Sequence, residues 1–467
     1  MRLLPLTASA CLATALLVPA LSPTPAAEAV ATPPAAAPTG LRDVMFVGNN
    51  WDGTASIVDA HTFEVLKRGV NLIPDKQQEL ADIYSNPVSL ALFLAIRMGP
   101  GEGNDQFVDD MFTTNDGRYL AVSRPSFADV VWIDIAKATA GDPDPIVREQ
   151  SMDGYRSDHM GLSPDGRRLL VSDSTERQVI EFSMVDETLP DGTVVHMGDR
   201  LRTFESGETP HESNYTPDGQ LIYHASIGKV YTPGDGTDAL DALFDPISDA
   251  VKGDRWFEVV RNSDFKILKR WDMGEELKEA GYPNMSSAVR PMALAPDGRH
   301  LYFQVSFLHG YVAFDLKAPD INGKTNYTLG GLPEPTTGRV LKVVRLPKRT
   351  TATRDQYVND SAHHGLSIDA DGDTLCVAAT MDDYAALVNV RTGKPKIFDT
   401  ASTGHAYLKP YWTTEGLDDT CWISLSGSDA VAVLDTKTGK ELAFRDVGNH
   451  PQRVRHGYVS EALAQTW

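Results

Sequence analysis

Six times along this chain a polar residue leads into a tight turn, and alternating apolar residues follow it. The copies read TTNDGRYLAVS ending at Ser123, LSPDGRRLLVSDS from Leu162, YTPDGQLIYHAS from Tyr215, LAPDGRHLYFQVS from Leu294, IDADGDTLCVAAT from Ile368 and TTEGLDDTCWISLS from Thr413. In the (Pro)-Asp-Gly core, aspartate bonds its own backbone and glycine accepts positive φ, so each copy marks a hairpin between two strands. Aligned on Gly117, Gly166, Gly219, Gly298, Gly372 and Gly416, the copies are spaced by 49, 53, 79, 74 and 44 residues. Propeller blades recur every 40–50 residues or so, and the longer gaps call for insertions.

A blade has four strands, and the turn joins the first two. Six units carry that turn. A seventh stands at the front, where Val44 to Asn50 and Thr54 to Gly69 supply three strands but no inner one. The segment His450 to Gly457 has the pattern of the missing strand. The expected fold is therefore an all-β, seven-bladed β-propeller, closed by a C-terminal strand that completes the first blade and leaves no open sheet edge.

The later strands of each unit, VVWIDIAKATAG, VIEFSMVDE, YVAFDLKA, AALVNVRTGKPKIFD and VAVLDTKTGKELAFRDVG, alternate and then end in Asp or Asn, with a Thr-Gly-Lys turn in the clearest copies. They resemble the matching parts of the YVTN propellers, typified by the bacterial YncE-like proteins. The resemblance spans nearly all of the chain after its leader. It implies the fold and leaves the activity open, because members of one fold carry different functions.

Residues 1–29 have the pattern of a secretory signal: Arg2, an apolar run to Leu21, then Ala27-Glu28-Ala29 as a cleavage site. Cys11 falls inside that apolar run and reads as a small residue of the signal. A Pro/Ala-rich linker over 30–41 and a propeller over 42–467 follow. This implies an exported protein, extracellular or associated with the cell wall, with no further membrane span. A net charge of −21 argues against nucleic acid or anionic membrane as a partner. The one basic cluster, Lys342 to Arg349, reads as a solvated strand edge. Nothing in the pattern demands more than a monomer. Cys376 and Cys421 hold matching positions in adjacent repeats, where a disulfide and two buried thiols are both open readings.

Three insertions interrupt the rhythm: Val70 to Gly101 and Ser226 to Trp256, both with helical stretches, and Thr328 to Thr337. By their place in the blade order, the first two emerge on one face and are expected to wall a pocket there.

The turn alignment puts Asp109, Asp158, His211, Arg290 and His364 at one equivalent position, the start of the inner strand at the channel mouth. His159 and His363 lie beside it, His405 slightly upstream in the seventh unit, and His450 at the start of the closing strand. His61, His224, His300 and His309 fall elsewhere and read as structural or solvated.

Two chemistries fit this ring. In the first, Arg290, helped by Arg156, neutralises a uronate carboxylate, and His211 or His364 takes the α proton. His159 or a tyrosine (Tyr155, Tyr215 or Tyr407) then protonates the leaving oxygen. That is β-elimination on a glucuronate-type glycan, with Asp109, Asp158, Arg156, His405 and His450 contacting substrate. In the second, His159, His211, His363, His364, His405 and His450 gather copper, zinc or another metal for redox or binding. Calcium in the channel is compatible with either. A glycosidase using Asp109 or Asp110 with Asp158 is a third reading. A non-catalytic glycan- or protein-binding propeller is a fourth, with Trp51, Tyr407, Tyr411 and Trp412 as stacking surfaces. No Gly-x-Ser-x-Gly elbow, phosphate loop, dinucleotide fingerprint or haem-attachment motif is present.

Overall fold

The computed structural model describes residues 38–229, 250–320 and 326–467. The expected signal and most of the linker lie outside the described residues. Seven four-stranded antiparallel sheets follow one another around a central channel. The turn chemistry explains their hairpins. In the second blade Thr114 Oγ1 donates to Asp116 Oδ1 at 2.5 Å, Asp116 accepts from the Arg118 amide at 3.1 Å, and Gly117 takes φ 65°. The same bonds recur at Ser163 and Asp165 and at Thr216 and Asp218.

The first blade consists of Leu41–Asn49, Thr54–Asp59 and Val65–Asn71, and its inner strand is Pro451–Ser460. Val44 pairs antiparallel with Gly457 and Val47 with Val454, so the chain ends close the ring in the expected way. The remaining inner strands are Met111–Thr113, Ser157–Leu162, Pro210–Tyr215, Val289–Leu294, Leu366–Ile368 and Pro410–Glu415.

Apolar residues from facing sheets fill the space between neighbouring blades. Trp422, fully buried, packs with Val431 and Val433 of its own blade and with Met45, Val47 and Val454 of the first. Near the axis, adjacent blades converge enough for a disulfide: Cys376 and Cys421, on the second strands of blades six and seven, are bonded with Cα atoms 6.5 Å apart.

The first insertion forms two helices, α1 (Lys76–Ser85) and α2 (Pro87–Met98). They break where Asn86 accepts from the Val88 and Ser89 amides and Pro87 opens the second. Ile83, Phe93 and Ile96 join the core of the first two blades. Residues 239–249, expected to be helical in the second insertion, lie outside the described residues. The third insertion carries a small ribbon, Thr328–Leu329 against Leu332–Pro333. A further long connection, 346–363, joins blades five and six through two single 3₁₀ turns. No single helix among the described residues is long and apolar enough to cross a membrane.

Candidate functional site

The site is built by a repeated irregularity. Pairing of the inner with the second strand slips between Ser157 and Met160, between Pro210 and Ser213, between Val289 and Met292, and between Pro410 and Thr413. Each slip is a bulge, which re-aims side chains. As a result, neighbouring residues that strict alternation would send to opposite faces both reach the channel. His211 lines a cavity on the insertion-bearing side and Glu212 one on the opposite side, and Tyr411 and Trp412 divide the same way.

The freed backbone amides are satisfied by carboxylates of the preceding blade. Asp110 accepts from the Met160 amide at 3.1 Å, and Glu212 from the Met292 amide at 2.8 Å. Asp110 also takes a bidentate bond from Arg455, at 2.8 and 2.7 Å. These two carboxylates hold adjacent blades together, so Asp110 is committed to structure.

Above them lies a layer of Asp109, Asp158, His159, His211, Arg290, His364 and Tyr411. The His159 and His211 ring centroids are 3.6 Å apart, those of His211 and His364 5.8 Å, and those of His159 and His364 6.4 Å. His364 stacks on Tyr411 at 4.2 Å, and the Tyr411 hydroxyl accepts from Asn359 at 3.0 Å. Arg453, wholly buried, lies over Trp412 at 4.0 Å, donates to His159 and reaches Asp109 at 3.4 Å. Its Nε and Nη1 have no hydrogen-bond partner among the described residues. Arg290 Nε and Nη2 donate to Ser306 Oγ at 3.1 and 2.9 Å. Arg156 pairs with Asp158 and with Gln106.

Electrostatics follow from this packing. Burial holds His159, His211 and His364 far below the usual imidazole range, and nearby guanidiniums push in the same direction, joined at His159 and His211 by neighbouring rings. All three are neutral at pH 7. Asp109 moves the other way: burial raises its carboxyl to about 7, with Arg453 opposing and Asp158 reinforcing. Neutral bases, fixed cations and a carboxyl that titrates near neutrality thus share one dry layer.

The opening at this layer is narrow, about 20 Å³, room for roughly one water. Pro100, at the end of the first insertion, and Gln106, just past it, line the opening, and Glu102 bridges to Lys409 at 2.5 Å. The expected pocket wall is thus closer to a cover. A larger cavity of about 720 Å³ lies at the other end of the channel, among the turns, lined by Glu212, Trp412, Arg455, Asn214 and Ser367. Nothing in the repeat pattern pointed to that end.

Several expected site residues lie elsewhere. His405 is at the outer rim, bonded to Glu441 at 2.5 Å and stacked on Phe444, and Tyr407 donates to the same glutamate at 2.6 Å. The structure removes both from the channel. His450 stacks on Trp51 at 3.7 Å, with a ring centroid 6.4 Å from that of Tyr411. His363 turns away to Asp382, which it shares with His309. Tyr155 is exposed, and Tyr215 bonds Glu181 and lines the turn-side cavity.

The six histidines proposed as metal ligands therefore share no centre. The ligand atoms that do gather within this layer are those of Asp109, Asp158 and His159. Arg453 and Arg156 already hold the two carboxylates. Two guanidiniums at the ligand oxygens oppose a cation, so neither a copper or zinc ring nor channel calcium fits this donor set.

Arg453, Arg455, Tyr411 and Trp412 carry the layer together with the residues found by alignment. The fold and this two-tiered mouth define a seven-bladed β-propeller with a polar channel site. No family model matches the chain, and no curated protein does either. Among solved structures, the periplasmic gluconolactonase of Pseudomonas aeruginosa is similar at 14% identity, over 89% of this chain and 99% of that one, with a TM-score of 0.48. Kuenenia stuttgartiensis hydrazine synthase is similar at 12% identity, over 74% of this chain and 88% of that one, with a TM-score of 0.45.

Proposed function

We propose that the chain is an exported propeller enzyme that cleaves a uronate-bearing glycan by β-elimination. One observation carries this reading: three buried imidazoles, their ring centroids 3.6–6.4 Å apart, lie among the buried guanidiniums of Arg290 and Arg453, where burial favours the neutral rings and raises the Asp109 carboxyl to about 7. Buried cations are costly to desolvate, and an anion from the substrate offsets that cost. In this role Arg453 and Arg290 receive the uronate carboxylate and make its α proton more acidic. His211 or His364 takes that proton, the C–H electrons form the carbon–carbon double bond, and the bond to the β oxygen breaks. Asp109, protonated near neutrality, supplies a proton to the leaving oxygen. Asp109 thereby takes the place of Tyr407, which lies at the rim.

The opening of about 20 Å³ is too small for a sugar ring. Entry therefore requires the segment over Pro100 to Gln106 to move, which breaks the Glu102–Lys409 bridge. The signal-like pattern of residues 1–29 and the disulfide both suit an exported protein.

The test is unsaturated-uronate absorbance on a panel of glucuronate-bearing glycans. Turnover that falls by 10³-fold or more in His211→Ala, and stays within about 2-fold in His405→Ala, supports the reading. Turnover unaffected by His211→Ala, or binding of the glycan with no absorbance change, refutes it and leaves a binding propeller.

A further inference from the structure

A second cluster lies between blades five and six, on the insertion-bearing face. His309 comes from the turn before Gly310–Pro319, His363 directly precedes His364 of the channel layer, and Asp382 ends the short turn Thr380–Asp382. Both imidazoles meet the same carboxylate oxygen: His309 Nδ1 lies 2.6 Å and His363 Nε2 2.9 Å from Asp382 Oδ2. The three ligating atoms lie within 4.8 Å of one another.

We propose that His309, His363 and Asp382 form a binding site for a divalent transition cation of the zinc class. Two imidazoles and one carboxylate are a donor set that such ions take, with the fourth position left for water. Around a tetrahedral ion with bonds of about 2.0–2.1 Å, ligand atoms stand roughly 3.3 Å apart. The His309 and His363 nitrogens, 2.6 and 2.9 Å from Asp382 Oδ2, therefore need to retreat by about 0.7 and 0.4 Å.

Independent support comes from the groups that hold these side chains in place. The other oxygen of Asp382 accepts from the Arg349 and Thr350 amides, at 2.6 and 2.9 Å, which fixes the carboxylate. His309 Nε2 lies 2.8 Å from the Tyr357 hydroxyl, so that this nitrogen can carry the proton and Nδ1 the lone pair. His363 is fully buried, and its Nδ1 has no hydrogen-bond partner among the described residues. Ligation through Nε2 places the His363 proton at Nδ1, where water is the acceptor it needs.

A cation held here ties blade five, the 346–363 connection and blade six at one point. Because His363 adjoins His364, it also anchors the start of the strand that carries a channel imidazole. This inference is independent of the elimination chemistry.

The test is titration of the full chain, stripped by chelator, with cobalt(II). The expected result is one equivalent bound with visible d–d absorption, displaced by zinc. Binding should fall at least 100-fold in Asp382→Asn and in His309→Gln, and persist in His211→Ala. His309 is the most exposed of the three, so His309→Gln serves if Asp382→Asn fails to fold. No bound cobalt, or binding lost in His211→Ala but kept in His309→Gln, overturns the proposal.

Discussion

Substituting His211 by glutamine isolates the energetic consequence of a neutral, buried imidazole layer. In the folded chain His211 sits far below its ordinary value of 6.5, through burial and through repulsion by His364, Arg290 and Arg453. The unfolded chain takes up a proton as pH falls through 6.5, and the folded chain does not. Stability from this residue is therefore fully present above pH 6.5 and is lost as the pH falls below it. Between about pH 7.5 and pH 5.0 the loss is about 2 kcal/mol for one such histidine. Total stability does not report it cleanly, because buried carboxyls titrate with the opposite sign: burial raises Glu258 to about 7 and Glu276 to about 8. The comparison must be a difference of differences. Urea unfolding of the wild type and His211→Gln at both pH values should show the wild type losing about 2 kcal/mol more than the variant. Equal losses would mean that His211 is not held neutral in the fold. A larger loss in the variant would mean that it is held charged, and either result removes the proposed base.

Two further predictions concern the frame. Cys376→Ser with Cys421→Ser opens a 45-residue link, which the chain-entropy model values at about 4 kcal/mol. A shift in denaturation midpoint worth under about 1 kcal/mol would show that the unfolded chain gains little from its release. Asp110→Asn strips a buried partner from Arg455 and weakens the clasp on the Met160 amide, so unfolding free energy should drop by about 3–5 kcal/mol. A loss below about 1 kcal/mol would sink the interblade role given to Asp110.

The fold could be read from the sequence because its punctuation is chemical: Asp-Gly turns fix each hairpin, and the spacing fixes the blades. The site was legible where the same turn set the register. Asp109, Asp158, His211, Arg290 and His364 all lie eight residues before a turn glycine, and all five line the channel layer. In the seventh blade that rule fails. The left-handed turn residues there are Asp418 and Asp419, at φ 53° and 58°, three positions past the expected place for Asp419. Eight residues before Gly416 stands Leu408, which is exposed, so the sequence offers His405 upstream of it, and Tyr411 and Trp412 read only as stacking surfaces. The closing strand has no turn glycine ahead of it, so His450 stood in for Arg453. The bulges were invisible for a different reason. Alternation assigns one residue of each neighbouring pair to the channel, and only the backbone slip brings in both. The wide turn-side cavity escaped notice because it depends on how the inner strands splay, not on any one motif.

The most direct test of the account is a crystal structure of His211→Ala with a glucuronate oligosaccharide bound. The account predicts the uronate carboxylate between Arg290 and Arg453, its α carbon facing the space left by the imidazole and the segment over Pro100 to Gln106 displaced. An oligosaccharide held instead in the turn-side cavity by Trp412, Glu212 and Arg455, with the imidazole layer still closed, would contradict it.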